Sequence, residues 1–190
     1  MAEFGVYVHI PFCRSRCDYC AFATWTDRGH LVDAYVDAVV TDIRRAVADR
    51  MPVADTVFFG GGTPTLIDPA LIARIIAAIP LSADPEITVE CNPDDVTPEL
   101  MRTYAAAGVN RVSIGVQSMV THVLAVLGRH HDQSNVEVAV TCARSAGIER
   151  INLDLIYGSV GESLDDWRAT VAAALALQPT HVSAYGLTVE

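Results

Sequence analysis

Short apolar runs alternate with longer amphipathic stretches along the whole chain. Runs rich in β-branched and aromatic residues predict six strands, at 6–10, 56–59, 87–90, 111–114, 151–155 and 182–185. Between the first two runs, Tyr35, Val36, Val39, Val40 and Ile43 recur at three- and four-residue spacing, with charged residues at other positions. That spacing places the apolar side chains on one face of a helix, so this stretch is predicted to be a crossover helix.

Local capping signals predict where the other helices begin and end. A capping residue followed by proline at 68–69 and again at 97–98 is typical of a helix start, and Gly108 is placed to end the second of these helices. Two more helices are predicted over 134–146 and 163–177, the latter with a serine cap and an acidic residue three positions later.

Strands that alternate with helices are usually parallel and joined by right-handed crossovers. The pattern therefore predicts an α/β fold, either a doubly wound sheet or a closed or partial β/α barrel. In both architectures the site lies at the carboxyl ends of the strands. Each predicted strand end carries a polar residue or a glycine: His9 with three cysteines, the run 60–63, Glu90 with Asn92, Gly115 with Gln117, Asp154, and Tyr185. We expect one site built from successive loops.

Composition narrows the class of protein. The chain has 190 residues, of which 51% are hydrophobic, and its mean hydropathy is +0.30, so we expect one globular domain. No run approaches the roughly 18 apolar residues of a membrane span. A net charge of −10 argues against nucleic acid as a partner. The first residues lack the features of a signal peptide, which favours a cytoplasmic location.

The main chemical signal is the C-x3-C-x2-C run of Cys13, Cys17 and Cys20. Iron–sulfur clusters are normally held by four thiolates, so three suggest a cluster with one iron open to a non-protein ligand. A disulfide is disfavoured because one thiol would stay unpaired. Structural zinc, with His9 as fourth ligand, remains an alternative at this point.

Two further features of the sequence are less specific. Cys91 and Cys142 are isolated in apolar segments and are expected to be small buried hydrophobes. The glycine run 60–62 permits a tight turn or a close approach of backbone to a ligand. It is not a nucleotide P-loop, because that motif needs a lysine and the chain contains none.

Several separate segments, taken together and in order, resemble the radical S-adenosylmethionine proteins of the oxygen-independent coproporphyrinogen III oxidase group. They are 7–20, 58–65, 90–93, 108–118, 127–129, 152–158 and 183–185. The resemblance implies a partial (β/α)6 TIM-type barrel with parallel strands. The oxidase usually carries a fourth cysteine two positions after the third, where this chain has Phe22. This difference favours the heme chaperone (HemW) branch of the group.

The resemblance also implies residue roles. Cys13, Cys17 and Cys20 would hold a [4Fe-4S] cluster whose fourth iron is chelated by S-adenosylmethionine. The residues implied to line the cofactor pocket are Tyr7, Tyr19, Gly61, Gly62, Thr63, Glu90, Gln117, Arg129, Asp154 and Thr188. No catalytic residue is assigned, and a surface position is the ordinary alternative for His130 and His131.

The function implied by the resemblance is that of a heme chaperone. It would bind heme and deliver it to acceptor proteins, with an electron donor reducing the cluster. The alternative is the oxidase, an enzyme in which a 5′-deoxyadenosyl radical would abstract hydrogen from a propionate of coproporphyrinogen III. A zinc-binding interaction module is a third possibility.

The chain is expected to be one radical S-adenosylmethionine core domain over residues 1–190. Residues 185–190 follow the sixth predicted strand directly, and relatives continue for roughly another domain's length by the usual range of domain sizes. We therefore expect a truncated copy without the C-terminal domain, in which the sixth strand has an exposed edge.

Overall fold

A computed structural model describes residues 3–188 of the chain. Its centre is one sheet of six parallel strands, which follow one another in chain order. The strands are β1 Gly5–Ile10, β2 Ala54–Gly61, β3 Leu81–Cys91, β4 Arg111–Gln117, β5 Arg150–Tyr157 and β6 His181–Gly186. Every predicted strand is confirmed. β3 starts six residues earlier than the prediction of 87–90, because Asp84 and Pro85 hide the strand pattern in its half-exposed first part.

Helices connect the strands and cover one face of the sheet. They are α1 Val32–Ala48, α2 Pro69–Ile76, α3 Pro98–Ala106, α4 Thr121–Val126, α5 Gln133–Ser145 and α6 Leu164–Ala176. The predicted caps at Asp68, Thr97 and Ser163 are confirmed, since each side chain accepts a hydrogen bond from a first-turn backbone N–H. The helix predicted over 134–146 starts one residue earlier, because Asp132 rather than Ser134 caps it. The short α4 was not predicted.

The strand order identifies the architecture as a partial barrel. A doubly wound sheet would reverse its strand order at a switch point, whereas here each strand pairs with its neighbours in sequence. β1 and β6 are at the two edges, and no pairing between them occurs within residues 3–188. The fold is thus an open, partial (β/α)6 barrel with its helices outside.

Side chains alternate between the two faces of each strand, as the two-residue period of a strand requires. On β4, Val112, Ile114 and Val116 are fully buried in the core under the helices. The residues between them line a concave polar surface instead. Cys91 and Cys142 belong to the core, as predicted, and burial raises the pKa of the Cys91 thiol.

The sequence predicts no membrane-spanning segment and an exposed edge at the sixth strand. Within residues 3–188, no helix combines the length and the apolar character needed to cross a bilayer. β6 is largely exposed, with Val182 37% and Tyr185 57% accessible. The part of the expectation about the chain end that falls on residues 189–190 lies outside the described residues.

Candidate functional site

A cavity of about 1310 Å³ opens at the carboxyl ends of the strands. Parallel strands bring their ends to one edge of the sheet, so the loops after them share this space. The structure places nearly all the predicted site residues along its wall. These are Cys13, Cys17, Tyr19, Cys20, Gly61, Gly62, Thr63, Glu90, Gln117, Arg129, Asp154 and Thr188.

The cysteine loop is closed at its base by backbone hydrogen bonds. The N–H of Trp25 donates to the carbonyl of Pro11 at 2.8 Å, and the N–H of Cys13 donates to the carbonyl of Trp25 at 3.1 Å. These bonds join Phe12 and Trp25 in a parallel bridge beyond the end of β1. The loop therefore starts and ends at one fixed point beside the cavity.

His9 fixes the C-terminal part of the same loop by a hydrogen bond to Ala23. Its Nε2 lies 2.8 Å from the carbonyl oxygen of Ala23, to which it donates, and its Nδ1 lies 3.1 Å from the Tyr7 hydroxyl. Both ring nitrogens are engaged, so His9 does not provide the fourth ligand that the zinc alternative required. Tyr7 is the one predicted pocket residue not on the cavity wall; it stacks on Phe58 and reaches the site through His9.

The three loop cysteines are partly buried and free of disulfides. Within residues 3–188, no three His, Cys, Asp or Glu side chains converge closely enough to hold a single metal ion. A [4Fe-4S] cluster does not require such convergence, because each thiolate binds a different iron. Polar donors lie beside two of the sulfurs: Thr63 Oγ1 is 3.6 Å from Cys13 Sγ, and Arg129 Nη1 is 3.9 Å from Cys17 Sγ. Both groups can donate a hydrogen bond to the neighbouring sulfur.

Arg129 is a cation on the cavity wall that pairs with no carboxylate among residues 3–188. Its Nη2 donates to Asn92 Oδ1 at 3.0 Å and to the carbonyl of Gly115 at 3.1 Å. Among residues 3–188 it makes no ion pair. The guanidinium is held by neutral acceptors and remains able to pair with an anionic ligand.

The glycine run 60–62 lies at the end of β2, where neighbouring atoms leave no room for a Cβ. The backbone N–H groups of Gly62 and Thr63 donate to the carbonyls of Ile10 and Phe12, both at 2.8 Å, which continues the pairing of β1 and β2. A Cβ on Gly62 would lie 2.6 Å from the Phe12 oxygen. The run thus brings the second strand end directly against the base of the cysteine loop.

Gly61 and Glu90 form the adjoining part of the wall. Gly61 has a φ of +108°, and its N–H donates to Glu90 Oε2 at 3.1 Å. Burial, helped by the charge of Asp154, raises the pKa of Glu90 to about 7, while the Gly61 hydrogen bond and His9 oppose the shift. Glu90 can therefore gain or lose a proton near neutral pH.

Sequence reasoning missed a polar network on the inner faces of β4, β5 and β6. Ser113 Oγ donates to Asp154 Oδ2 at 2.6 Å, and Asn152 Nδ2 lies 2.8 Å from Asp154 Oδ1 and 2.7 Å from Ser113 Oγ. Ser183 Oγ donates to Asn152 Oδ1 at 3.1 Å. The two-residue period of a strand could have revealed this network, because Ser113 lies on the same face of β4 as Gly115, and Asn152 on the same face of β5 as Asp154. The network fixes Asp154 and leaves its carboxylate facing the cavity.

Of His130 and His131, for which a surface position is the ordinary alternative, one is exposed and the other is buried. His130 is exposed and lines the cavity mouth, whereas His131 is only 3% exposed. The imidazole of His131 packs against β4 and lies 2.8 Å from the carbonyl oxygen of Val116. Sequence position next to a helix cap gave no sign of this burial.

Comparison with known proteins identifies the family. The model of the radical SAM superfamily matches residues 7–174, which includes the cysteine loop and five of the strands. The chain belongs to the radical SAM superfamily. Proteins of this family bind a [4Fe-4S] cluster and S-adenosylmethionine, in agreement with the donor set at the cavity. The zinc alternative is thereby set aside.

Curated relatives of this radical SAM chain are named heme chaperone HemW. The protein from Mycobacterium tuberculosis is 42% identical over 195 residues, covering 98% of this chain and 50% of the relative. The protein from Escherichia coli K12 is 39% identical, covering 98% of this chain and 51% of the relative. The chain spans about half the length of the curated relatives it matches.

The solved structure of coproporphyrinogen III oxidase (HemN) from Escherichia coli, a radical SAM enzyme, has a similar fold. It superimposes with a TM-score of 0.90 at 30% sequence identity, covering 98% of this chain and 44% of that one. The expected resemblance to this group is confirmed.

Proposed function

We propose that this chain is the radical SAM core of a heme chaperone, which binds a [4Fe-4S] cluster, S-adenosylmethionine and heme and passes heme to acceptor proteins. The observation that carries the proposal is the meeting of the cysteine loop, the glycine run and Arg129 at one cavity. It is found in a chain whose similarity to proteins named heme chaperone HemW extends over 98% of its length.

In this proposal Cys13, Cys17 and Cys20 hold the cluster. The base of their loop is fixed before any metal binds, because it is tied to β1 and clamped by His9. Thr63 and Arg129 would direct hydrogen-bond donors at the cluster thiolates. When bound, the reduced cluster supplies the electron that cleaves S-adenosylmethionine, and an external electron donor is needed to reduce it.

The remaining wall residues would hold S-adenosylmethionine. Arg129 would pair with its carboxylate, and Asp154 would accept hydrogen bonds from ribose hydroxyls. Glu90 and the backbone groups around Gly61 would bind the methionine ammonium. Tyr19, Gly62, Thr63, Gln117 and Thr188 complete the pocket, and Tyr7 would act through His9.

The second candidate is oxygen-independent coproporphyrinogen III oxidase. Its support is the similarity to the Escherichia coli oxidase, with a TM-score of 0.90. Phe22 weighs against it, because it stands where the oxidase group usually has its fourth cysteine, and its side chain is 59% exposed at the cavity wall. Heme, acceptor proteins and the electron donor are the partners of the first candidate, and a porphyrinogen substrate is that of the second.

Anaerobic reconstitution with three forms of the protein tests the proposal. Wild type and Cys142→Ala should bind iron and acid-labile sulfide in equal amounts, whereas Cys17→Ser should lose most of both. Cys142 is the matched control because it is buried in the core and far in sequence from the loop. Equal metal content in all three forms would contradict the ligand assignment.

The two functions are then distinguished with the reconstituted protein. Titration with hemin should give a saturable Soret band, and incubation with coproporphyrinogen III, S-adenosylmethionine and a reductant should give no decarboxylated product. Catalytic formation of that product would support the oxidase instead. A chain that binds the cluster but neither heme nor porphyrinogen would contradict both assignments.

A further inference from the structure

His131 is a buried histidine that lies next to the cavity residues without lining the cavity itself. It is 3% exposed, does not line the cavity, and has its Nε2 2.8 Å from the carbonyl oxygen of Val116. A carbonyl can only accept, so Nε2 must carry the proton and Nδ1 must be the unprotonated acceptor. Nδ1 is buried and has no hydrogen-bond partner within residues 3–188. Unsatisfied buried polar atoms are rare in folded proteins, so the imidazole is retained at this position against a local penalty.

The carbonyl that His131 contacts belongs to a strained turn at the end of β4. The N–H of Ser118 donates to the same Val116 oxygen at 2.8 Å, and Gln117 between them has a φ of +64°. A hydrogen bond from residue i+2 to residue i with a positive central φ defines a γ-turn of the rare, strained kind. Such conformations persist at functional sites only where the surrounding structure holds them.

The turn is held from two sides. On one side, the buried Thr170 of α6 hydrogen-bonds with Ser118 Oγ at 3.0 Å and accepts from the N–H of Met119 at 3.2 Å. On the other side, His131 gives the Val116 oxygen its second hydrogen bond. Burial keeps water from replacing either contact.

The turn and its clamp connect two residues of the cavity. The γ-turn carries Gln117, which lines the cavity, at a point where the register between β4 and β5 shifts. The loop that carries His131 also carries Arg129, two residues earlier. Arg129 binds the carbonyl of Gly115 and His131 binds that of Val116, so the loop attaches to two consecutive carbonyls of β4.

We propose that His131 is a positioning residue, which holds the γ-turn at Gln117 and docks the Arg129 loop on β4, so that both side chains are fixed for S-adenosylmethionine. This inference depends on the proposed function, in which Gln117 and Arg129 line the cofactor pocket.

Cofactor affinity tests the proposal with two His131 variants. His131→Phe keeps a ring of similar size and removes the donor, whereas His131→Gln keeps an N–H donor at similar reach. Equilibrium dialysis of labelled S-adenosylmethionine with reconstituted protein should give a Kd about tenfold higher for His131→Phe and within about threefold of wild type for His131→Gln. Iron and sulfide content should stay equal to that of wild type.

The control is Asn110→Ala, at the opposite end of β4. Asn110 also makes two hydrogen bonds to backbone, at 3.0 and 2.8 Å, but it does not line the cavity. This variant should lower the melting temperature and leave the Kd unchanged. An unchanged Kd in folded His131→Phe, or an equal loss of affinity in Asn110→Ala, would overturn the positioning role.

If His131→Phe does not fold, an NMR measurement on the wild-type protein still tests the proposal. Two-bond ¹H–¹⁵N NMR spectra should place the His131 proton on Nε2, and a proton on Nδ1 would overturn the proposal. If the reconstituted wild type binds no S-adenosylmethionine, the proposed function fails. If the wild type and His131→Phe bind it equally well, only the role of His131 fails.

Discussion

At the scale of single residues, Arg129 and Glu90 are ionisable side chains of the cavity wall that form no ion pair among residues 3–188. Arg129 is held by neutral oxygens rather than by a carboxylate, and Glu90 is a partly buried carboxyl that accepts a hydrogen bond from the Gly61 backbone N–H. Burial of an ionisable group without a full partner shifts its pKa, and such groups concentrate at binding sites. In the proposed function, the two residues contact groups of opposite charge on S-adenosylmethionine.

Glu90 should make the stability of the cofactor-free protein depend on pH. Its folded pKa of about 7 is above the ordinary value of 4.5, so the folded state holds the proton more tightly and stability should fall as pH rises from about 4.5 to 7. Glu90→Gln should therefore stabilise the protein at pH 8.5, by on the order of 2 kcal/mol, and have little effect at pH 5. Chemical denaturation at both pH values measures this, with the exposed Glu149→Gln as control. A benefit of the same size at both pH values would contradict the pKa assignment.

Arg129 should matter for the cofactor rather than for the fold. Arg129→Gln removes the charge that would pair with the S-adenosylmethionine carboxylate, and we expect the Kd to rise by roughly tenfold or more. Dialysis with reconstituted protein measures the effect. Arg144→Gln is the control, because Arg144 binds only the carbonyls of Leu177 and Gln178 beyond the end of α6. Similar losses in both variants would argue against a direct contact.

At the scale of elements, backbone hydrogen bonds between neighbouring segments continue past the ends of β1 and β2 and position the site. The β1 and β2 backbones go on bonding through Gly62 and Thr63, and the cysteine loop is attached to this extension through Trp25. The loop is thus positioned by backbone hydrogen bonds, with His9 as the side-chain clamp. A change in the glycine run should therefore be transmitted to the cysteines.

Gly62→Ala tests this connection. A Cβ at this position would lie 2.6 Å from the Phe12 oxygen and 2.7 Å from the Ile10 oxygen, both rigid backbone atoms. We expect a loss of about 1–3 kcal/mol of stability and a lower iron content after reconstitution. Gly29→Ala is the matched control, since nothing lies within 4 Å of its added Cβ and its φ is not positive. Full iron content in Gly62→Ala would show that the loop does not depend on this packing.

At the scale of the whole molecule, the edge strand β6 of the open barrel exposes apolar side chains. β6 pairs only with β5 among the described residues, and Val182 and Tyr185 are both accessible. An exposed edge strand offers unpaired backbone groups to another chain. The sheet also leaves its concave face open beside the cavity, so the edge and the site are neighbours.

The exposed edge should make the 190-residue chain associate at high concentration. Val182→Lys places a charge on the edge strand and should shift the sedimentation profile toward monomer. Val138→Lys, on the exposed face of α5, is the control because Val138 is 53% accessible and lies on a helix. A wild-type chain that stays monomeric at all concentrations would contradict this prediction.

Local sequence patterns are sufficient to predict the six strands, the parallel α/β class and the cysteine motif, because each rests on periodicity or on spacing within one loop. The caps at Asp68, Thr97 and Ser163 are local for the same reason. The partial barrel and the roles of the pocket residues came from the resemblance, since periodicity alone also allowed a doubly wound sheet.

The contacts between side chains on different strands are visible only in the three-dimensional fold. The contacts of Ser113 with Asn152 and Asp154, the hydrogen bond from His9 to Ala23 and the packing of His131 on β4 each join separate segments of the chain. The position of Tyr7 outside the cavity wall is of the same kind. Hydrogen bonds and burial between distant segments depend on strand register and on the packing of helices against the sheet, and no local pattern encodes either.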